Sequence, residues 1–131
     1  AGENKDWLTA RKPLIEPYVK MALDIGIKAG KTVMTEAIPY CFMKGYEKYV
    51  AEQIIPRTRI YDADCAIPDY TRTRIDEGKA RGPLCPQCDW HSQCEGPWRE
   101  YPELFGWDEF VPVKKSVVAA APEKKAAAKI K

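Results

Sequence analysis

Cys85, Cys88 and Cys94 stand in one short run, Cys85-Pro-Gln-Cys88-x5-Cys94. A Cys-x2-Cys pair places two thiolates on one tight turn, where both face a common metal centre, and a third cysteine six positions after the second closes around it. The spacing predicts metal binding, and because zinc and iron–sulfur clusters both accept such thiolates it does not choose the metal. The plainer alternative is three reduced structural cysteines, which are not expected to gather in a loop that also holds Pro83, Pro86 and Pro97. Spacing leaves the fourth ligand open among Cys41, Cys65 and His91. His91, between Cys88 and Cys94, would complete a Cys3His zinc site, although a lone loop histidine is more often simply exposed. Cys41 and Cys65 would each have to reach the loop through the fold.

The elements that must carry this loop are short. Leu14, Tyr18, Met21, Ala22 and Ile25 recur at helical spacing, so residues 13–28 read as an amphipathic helix with Pro13 and Pro17 in its first turn and Gly26 or Gly30 at its end. Residues 31–38 read as a β-prone run stopped by Pro39. Phe42, Tyr46, Tyr49 and Val50 predict a second helix over 42–54, closed before Pro56. Helix, glycine, strand and helix in that order is the rhythm of α/β architecture. Residues 57–62 form a candidate strand, and Asp69 a candidate cap for a short helix through Glu77 that ends at Gly78. From Gly96 to Val113, five aromatic residues alternate with glycine and proline, which predicts an irregular aromatic wrap. The Ala/Lys-rich stretch from Ser116 to Lys131 reads as a solvated tail or weak helix.

Composition narrows the function classes. Lys+Arg 21 against Asp+Glu 19 is too balanced for a nucleic-acid stripe or a polybasic membrane patch. No stretch approaches the roughly 20 apolar residues that span a bilayer, and the first residues lack the apolar core of a signal peptide. An odd count of five cysteines, three of them within ten residues, fits a metal site in a reducing, cytoplasmic compartment better than a disulfide framework. At 131 residues the chain matches one domain and falls short of a full catalytic barrel, which takes about 200 residues or more. No phosphate loop, nucleophile elbow or zinc-protease helix is present.

The segment Cys85-Pro-Gln-Cys88-Asp-Trp-His-Ser-Gln-Cys94-Glu-Gly-Pro-Trp98, continued by Arg99-Glu-Tyr-Pro-Glu-Leu-Phe-Gly-Trp107-Asp-Glu-Phe-Val-Pro, resembles the C-terminal region of radical S-adenosylmethionine (SAM) proteins. Its Cys-x2-Cys-x5-Cys spacing matches the SPASM-type extension that holds auxiliary [4Fe-4S] clusters. Upstream, Glu36-Ala-Ile-Pro-Tyr-Cys41-Phe-Met-Lys-Gly-Tyr-Glu resembles a late barrel strand and turn of the same proteins. Asp62-Ala-Asp and Gly78-Lys-Ala-Arg-Gly resemble the linker that follows. The similarity covers about residues 10–113 and is densest at the cysteine loop.

The resemblance implies an α/β chain in which residues 1–55 are the C-terminal remnant of a partial (β/α) barrel, 56–113 a loop-rich iron–sulfur module and 114–131 a flexible tail. It implies that Cys85, Cys88 and Cys94 are cluster thiolates and that Cys41 is the fourth ligand, while Cys65 matches no cysteine of the family. Cys-x3-Cys-x2-Cys, the motif by which the family holds the cluster that cleaves SAM, is absent. The implied partner is therefore an N-terminal radical SAM core, on the same polypeptide or a separate subunit, and SAM binds only with that half. Further downstream cysteines are also absent, which favours the one-cluster, twitch-like form. The implied role is electron transfer or substrate anchoring within an oxidoreductase, and the alternative is a small structural zinc module that binds another protein.

Other polar groups carry weaker expectations. Glu36, near a strand end, is placed to face a cavity or solvent. Arg72, Arg74, Lys79 and Arg81 are expected to form a solvated face, or else to attract an anion or neutralise a cluster. Trp90, Trp98 and Trp107 are candidate shielding aromatics.

Overall fold

The computed structural model describes residues 2–115. After a 3-10 turn, helix α1 (Lys5–Leu8) leads into α2 (Lys12–Lys28), the longest element. Arg11 is extended ahead of α2, and Pro13 sits in its first turn, where a missing N–H costs nothing. Pro17 lies inside the helix and removes the N–H that would have bonded back to residue 13. Ala29 closes α2 by donating its N–H to the Ile25 carbonyl, and Gly30 follows in the left-handed region.

The apolar stripe read from the sequence lies on the opposite side of α2 from the core. Leu14, Tyr18, Met21 and Ile25 are all exposed, whereas Leu23 is buried and Val19 packs beside it. Inward packing is set at Gly26, where an added Cβ would stand 2.3 Å from a Val33 methyl. The chain after α2 therefore lies directly against the helix.

The expected strand over 31–38 does not form. Thr35 makes only an isolated parallel bridge with Val50, donating its N–H to Tyr49 O at 2.7 Å and accepting from Ala51 N–H at 2.8 Å. The expected helix over 42–54 is replaced by three 3-10 turns, Tyr40–Phe42, Glu47–Tyr49 and Ala51–Gln53. Gly45, at φ +85°, breaks the helical path, and the inward residues Phe42, Met43 and Val50 are buried by the turns instead.

The predicted strand over 57–62 shrinks to β1 (Ile60–Tyr61), paired antiparallel with β2 (Ala66–Ile67). Asp69 caps α3 (Tyr70–Thr73) as expected, its Oδ1 accepting the Arg72 N–H at 3.0 Å, and a wide π-type turn, Arg74–Gly78, completes that helix. Within the aromatic wrap one regular element appears, α4 (Glu100–Phe105). The architecture is thus helix with one small two-stranded sheet. The tail from Ser116 lies outside the described residues. Among the described residues no helix is long and apolar enough to cross a membrane.

Two apolar clusters hold these pieces. Leu23, Tyr40, Met43 and Val50 form one, with Trp90 and Cys94 packed on it. Phe42, Tyr101 and Phe110 form the other through edge-on ring contacts, with Cys41 and Trp107 against it. Both draw the Tyr40–Phe42 turn onto the second half of the chain.

Gly96 joins the cysteine loop to this frame at φ +84°, and a Cβ there would stand 2.0 Å from the Ala80 carbonyl oxygen. Gly30 is equally left-handed at φ +66° but has open space. Gly96→Ala should therefore cost more than about 2 kcal/mol in a urea unfolding series, and Gly30→Ala only about 1 kcal/mol. Equal costs would show that backbone strain alone acts at Gly96.

Candidate metal centre

The centre is assembled from one turn and one loop. The turn begins at Ala37, which takes the left-handed region at φ 61°, a costly choice for a residue with a Cβ. Its N–H donates to Glu52 Oε1 at 2.9 Å, which secures that conformation and aims the following Pro39–Phe42 segment inward. Tyr40 is 1% exposed and stacks on Trp90, with ring centroids 4.8 Å apart and planes at 12°. Cys41 follows, half-buried.

The loop is a chain of tight turns. Cys85 N–H donates to Gly82 O, Cys88 N–H to Cys85 O, His91 N–H to Cys88 O and Cys94 N–H to Trp90 O, all at 2.9–3.1 Å. Proline at 86 favours the first of them, the 3-10 turn Cys85–Gln87. Val113 returns to the loop, where its carbonyl accepts the Asp89 N–H at 3.0 Å and the Cys88 thiol at 3.6 Å. Loss of the Cys88 proton leaves that carbonyl still satisfied.

Backbone donors point at the sulfurs. Gly82 N–H donates to Cys85 Sγ at 3.2 Å, and Gly96 N–H to Cys94 Sγ at 3.4 Å. The Tyr40 backbone N–H also favours the Cys94 thiolate, and Cys94 packs on the apolar cluster that holds Tyr40, so the turn lies against the loop. Such donors favour thiolate over thiol and are the usual environment of metal-bound cysteine sulfur. Burial nevertheless dominates in the metal-free chain and raises the Cys94 thiol above its ordinary value. Cys41 goes further: burial first, then the neighbouring thiols of Cys94, Cys85 and Cys88, push it up to about 12.

That set of neighbours locates the predicted residues. Cys41, Cys85, Cys88 and Cys94 lie within electrostatic reach of one another. Cys65 is not among Cys41's neighbours; it is exposed in the turn between β1 and β2, where its carbonyl accepts the Asp62 N–H. His91 is half-buried in the loop, and its ring makes no hydrogen bond to the described residues. Among the described residues no three His, Cys, Asp or Glu side chains close around a position for a single metal ion.

The surrounding shell departs from the expected solvated face. Arg72 is exposed and pairs with Asp76 on the same helical stretch. Arg74 is instead buried and forms a two-pronged ion pair with Glu95, at 2.7 and 3.1 Å, next to Cys94. Lys79 is 6% exposed, with its Nζ 4.6 Å from the centre of the Trp98 ring. Arg81 is exposed and donates to the Cys94 carbonyl at 2.7 Å. Trp107 lies against Gly82 and Trp90 against Tyr40, both beside the loop, while Trp98 covers Lys79. Glu36 is exposed and contributes to the field at Arg74. Sequence reasoning missed Lys12 and Glu52, whose roles depend on contacts too distant in the chain to leave a local pattern.

No family model matches the chain, and neither a curated protein nor a solved structure is significantly similar to it.

In the metal-free chain Cys65 should alkylate rapidly with iodoacetamide at pH 8 while Cys41 remains protected, as peptide mass spectrometry can resolve. A thiol whose folded pKa stands above its unfolded value favours folding below that value. The advantage is lost as pH rises from about 9 toward 12, so the metal-free chain should lose stability there. Cys41→Ser, with a hydroxyl that does not ionise in this window, should flatten the decline measured by urea denaturation across that range.

Proposed function

We propose that Cys41, Cys85, Cys88 and Cys94 bind a [4Fe-4S] cluster, and that this chain is the auxiliary-cluster portion of a radical SAM oxidoreductase. The observation that carries the reading is the convergence of these four thiols from the Tyr40–Phe42 turn and the cysteine loop. The donor set is chemically suited to iron and sulfide: all sulfur, partly buried, with backbone N–H groups on the Cys85 and Cys94 sulfurs.

An all-cysteine set of four suits either zinc or a [4Fe-4S] cluster. What favours the cluster is the resemblance carried by the Cys85–Cys94 loop.

When bound, such a cluster supplies one-electron transfer or an anchoring iron site. The chain's own residues hold and shield it. Trp90 and Trp107 limit solvent access, and the backbone donors stabilise sulfur-borne charge. The partial-barrel assignment of residues 1–55, and an N-terminal catalytic core as partner, belong to the same reading. Their support is the exposed stripe Leu14, Tyr18, Met21 and Ile25: with Leu23 buried on its other side, α2 is apolar on both faces, as in a helix that lies between two layers.

Anaerobic reconstitution with iron and sulfide should give a brown protein holding about four irons per chain, whereas a colourless protein with one zinc would overturn the cluster. Cys41→Ala should lower iron retention or yield a three-iron form. Cys65→Ala and His91→Ala should leave iron content and the reduced-state electron paramagnetic resonance spectrum unchanged. Reduced with dithionite, the reconstituted chain should release no 5′-deoxyadenosine from SAM, because the cluster motif for that cleavage is absent.

A further inference from the structure

Lys79 presents an unusual charge balance. Its side chain is buried, yet among the described residues its Nζ has no hydrogen bond or ion pair and rests on the Trp98 ring. The carboxylates nearby are engaged elsewhere. Both oxygens of Glu95 are held by the Arg74 guanidinium, and Glu52 Oε1 accepts from Ala37 while Oε2 is buried without a partner. Lys12 repeats the pattern at the start of α2. Its Nζ lies 4.8 Å from the centre of the Tyr101 ring, while neighbouring Glu109 is taken by Arg11 at 2.6 Å and by the Tyr101 hydroxyl.

Each ammonium group faces one of the four thiols. The charges that face Lys79 are Glu52, Glu95, Arg74 and Cys94; those that face Lys12 are Lys79, Cys41 and Glu109. One lysine thus attends the turn cysteine and the other the last loop cysteine, and the two repel each other. Cations taken partly or wholly out of water beside carboxylates that are engaged elsewhere are costly, and a further anion beside them lowers the cost.

We propose that Lys12 and Lys79 are the counter-ions of a cluster held by Cys41, Cys85, Cys88 and Cys94, and that they set its reduction potential. The proposal rests on the cluster reading above. A core bound by four thiolates is anionic and gains a further negative charge on reduction, so nearby fixed cations stabilise the reduced form more than the oxidised one. Loss of either cation moves the potential downward.

The test uses the full chain reconstituted anaerobically with iron and sulfide, its midpoint potential read by reductive titration with visible and electron paramagnetic resonance detection. Lys79→Met and Lys12→Met should each shift the midpoint to more negative values at unchanged iron content, and the double variant should shift it further. Lys79→Arg, which keeps a cation over Trp98, and exposed Lys31→Met should match the parent chain. If Lys79→Met fails to retain iron, the Lys12→Met midpoint decides alone. Brown Met variants with the parent potential would overturn the counter-ion role and leave the cluster standing, whereas a parent chain that assembles no iron overturns both.

Discussion

Tyr40 joins the two halves of the centre. Cys94 packs on the apolar cluster that holds Tyr40, whose backbone N–H favours the Cys94 thiolate, while the Tyr40 ring stacks on Trp90, which lies between Cys88 and Cys94 in the loop. Without these contacts Cys41 would sit on a short turn with nothing to orient it toward the other three thiols. The 3-10 turn of Tyr40–Phe42 is too short to hold its own direction. It is held because Tyr40 is sealed in one apolar cluster and Phe42 in the other, so the intervening Cys41 is fixed from both sides. Packing energy thereby becomes positional precision at a sulfur atom.

The cysteine loop was legible because its signal is local. Residues a few positions apart on tight turns face together whatever the rest of the chain does, and the Asp69 cap and the helix of 12–28 follow from equally local rules. What failed depended on distant contacts. The face of α2 that turns inward was misjudged because both faces are apolar, so periodicity had two answers. Residues 31–38 have strand-like composition but find no strand beside them, only the single bridge to Val50. The span 42–54 has helical spacing, yet Gly45 and the burial demands of Met43 and Val50 divide it into separate turns. Cys41 could be proposed from sequence only by family resemblance; its nearness to the loop thiols is a tertiary fact.

The charged residues show the same division. A run of Arg72, Arg74, Lys79 and Arg81 looks like a solvated face, and two of the four indeed lie outside. The π-type turn at Arg74–Gly78 carries Arg74 inward, where Glu95 meets it with both oxygens. Breaking such a buried pair by removing one partner costs about 3–5 kcal/mol, because the survivor is left uncompensated. Glu95 adjoins Cys94, so the ion pair also braces the loop at its last cysteine. Bracing of this kind leaves no trace in spacing, since the partners are 21 residues apart.

The thiols themselves explain why metal and fold must be read together. In the metal-free chain burial and the neighbouring sulfurs disfavour ionisation of Cys41, so four adjacent thiolates are not a state the protein can hold alone. A cationic core reverses each of those terms: it attracts the thiolates that repel one another and takes up the charge that burial penalises. Binding under the proposed reading would expel protons, the buried Cys41 proton among them. On the same reading the loop cysteines would gather iron on their local turns, and Cys41 would complete the set only when the Tyr40 turn is docked. Cys41 as a fourth ligand would then report whether the two halves of the chain are folded against each other, coupling the proposed centre to the integrity of the whole core.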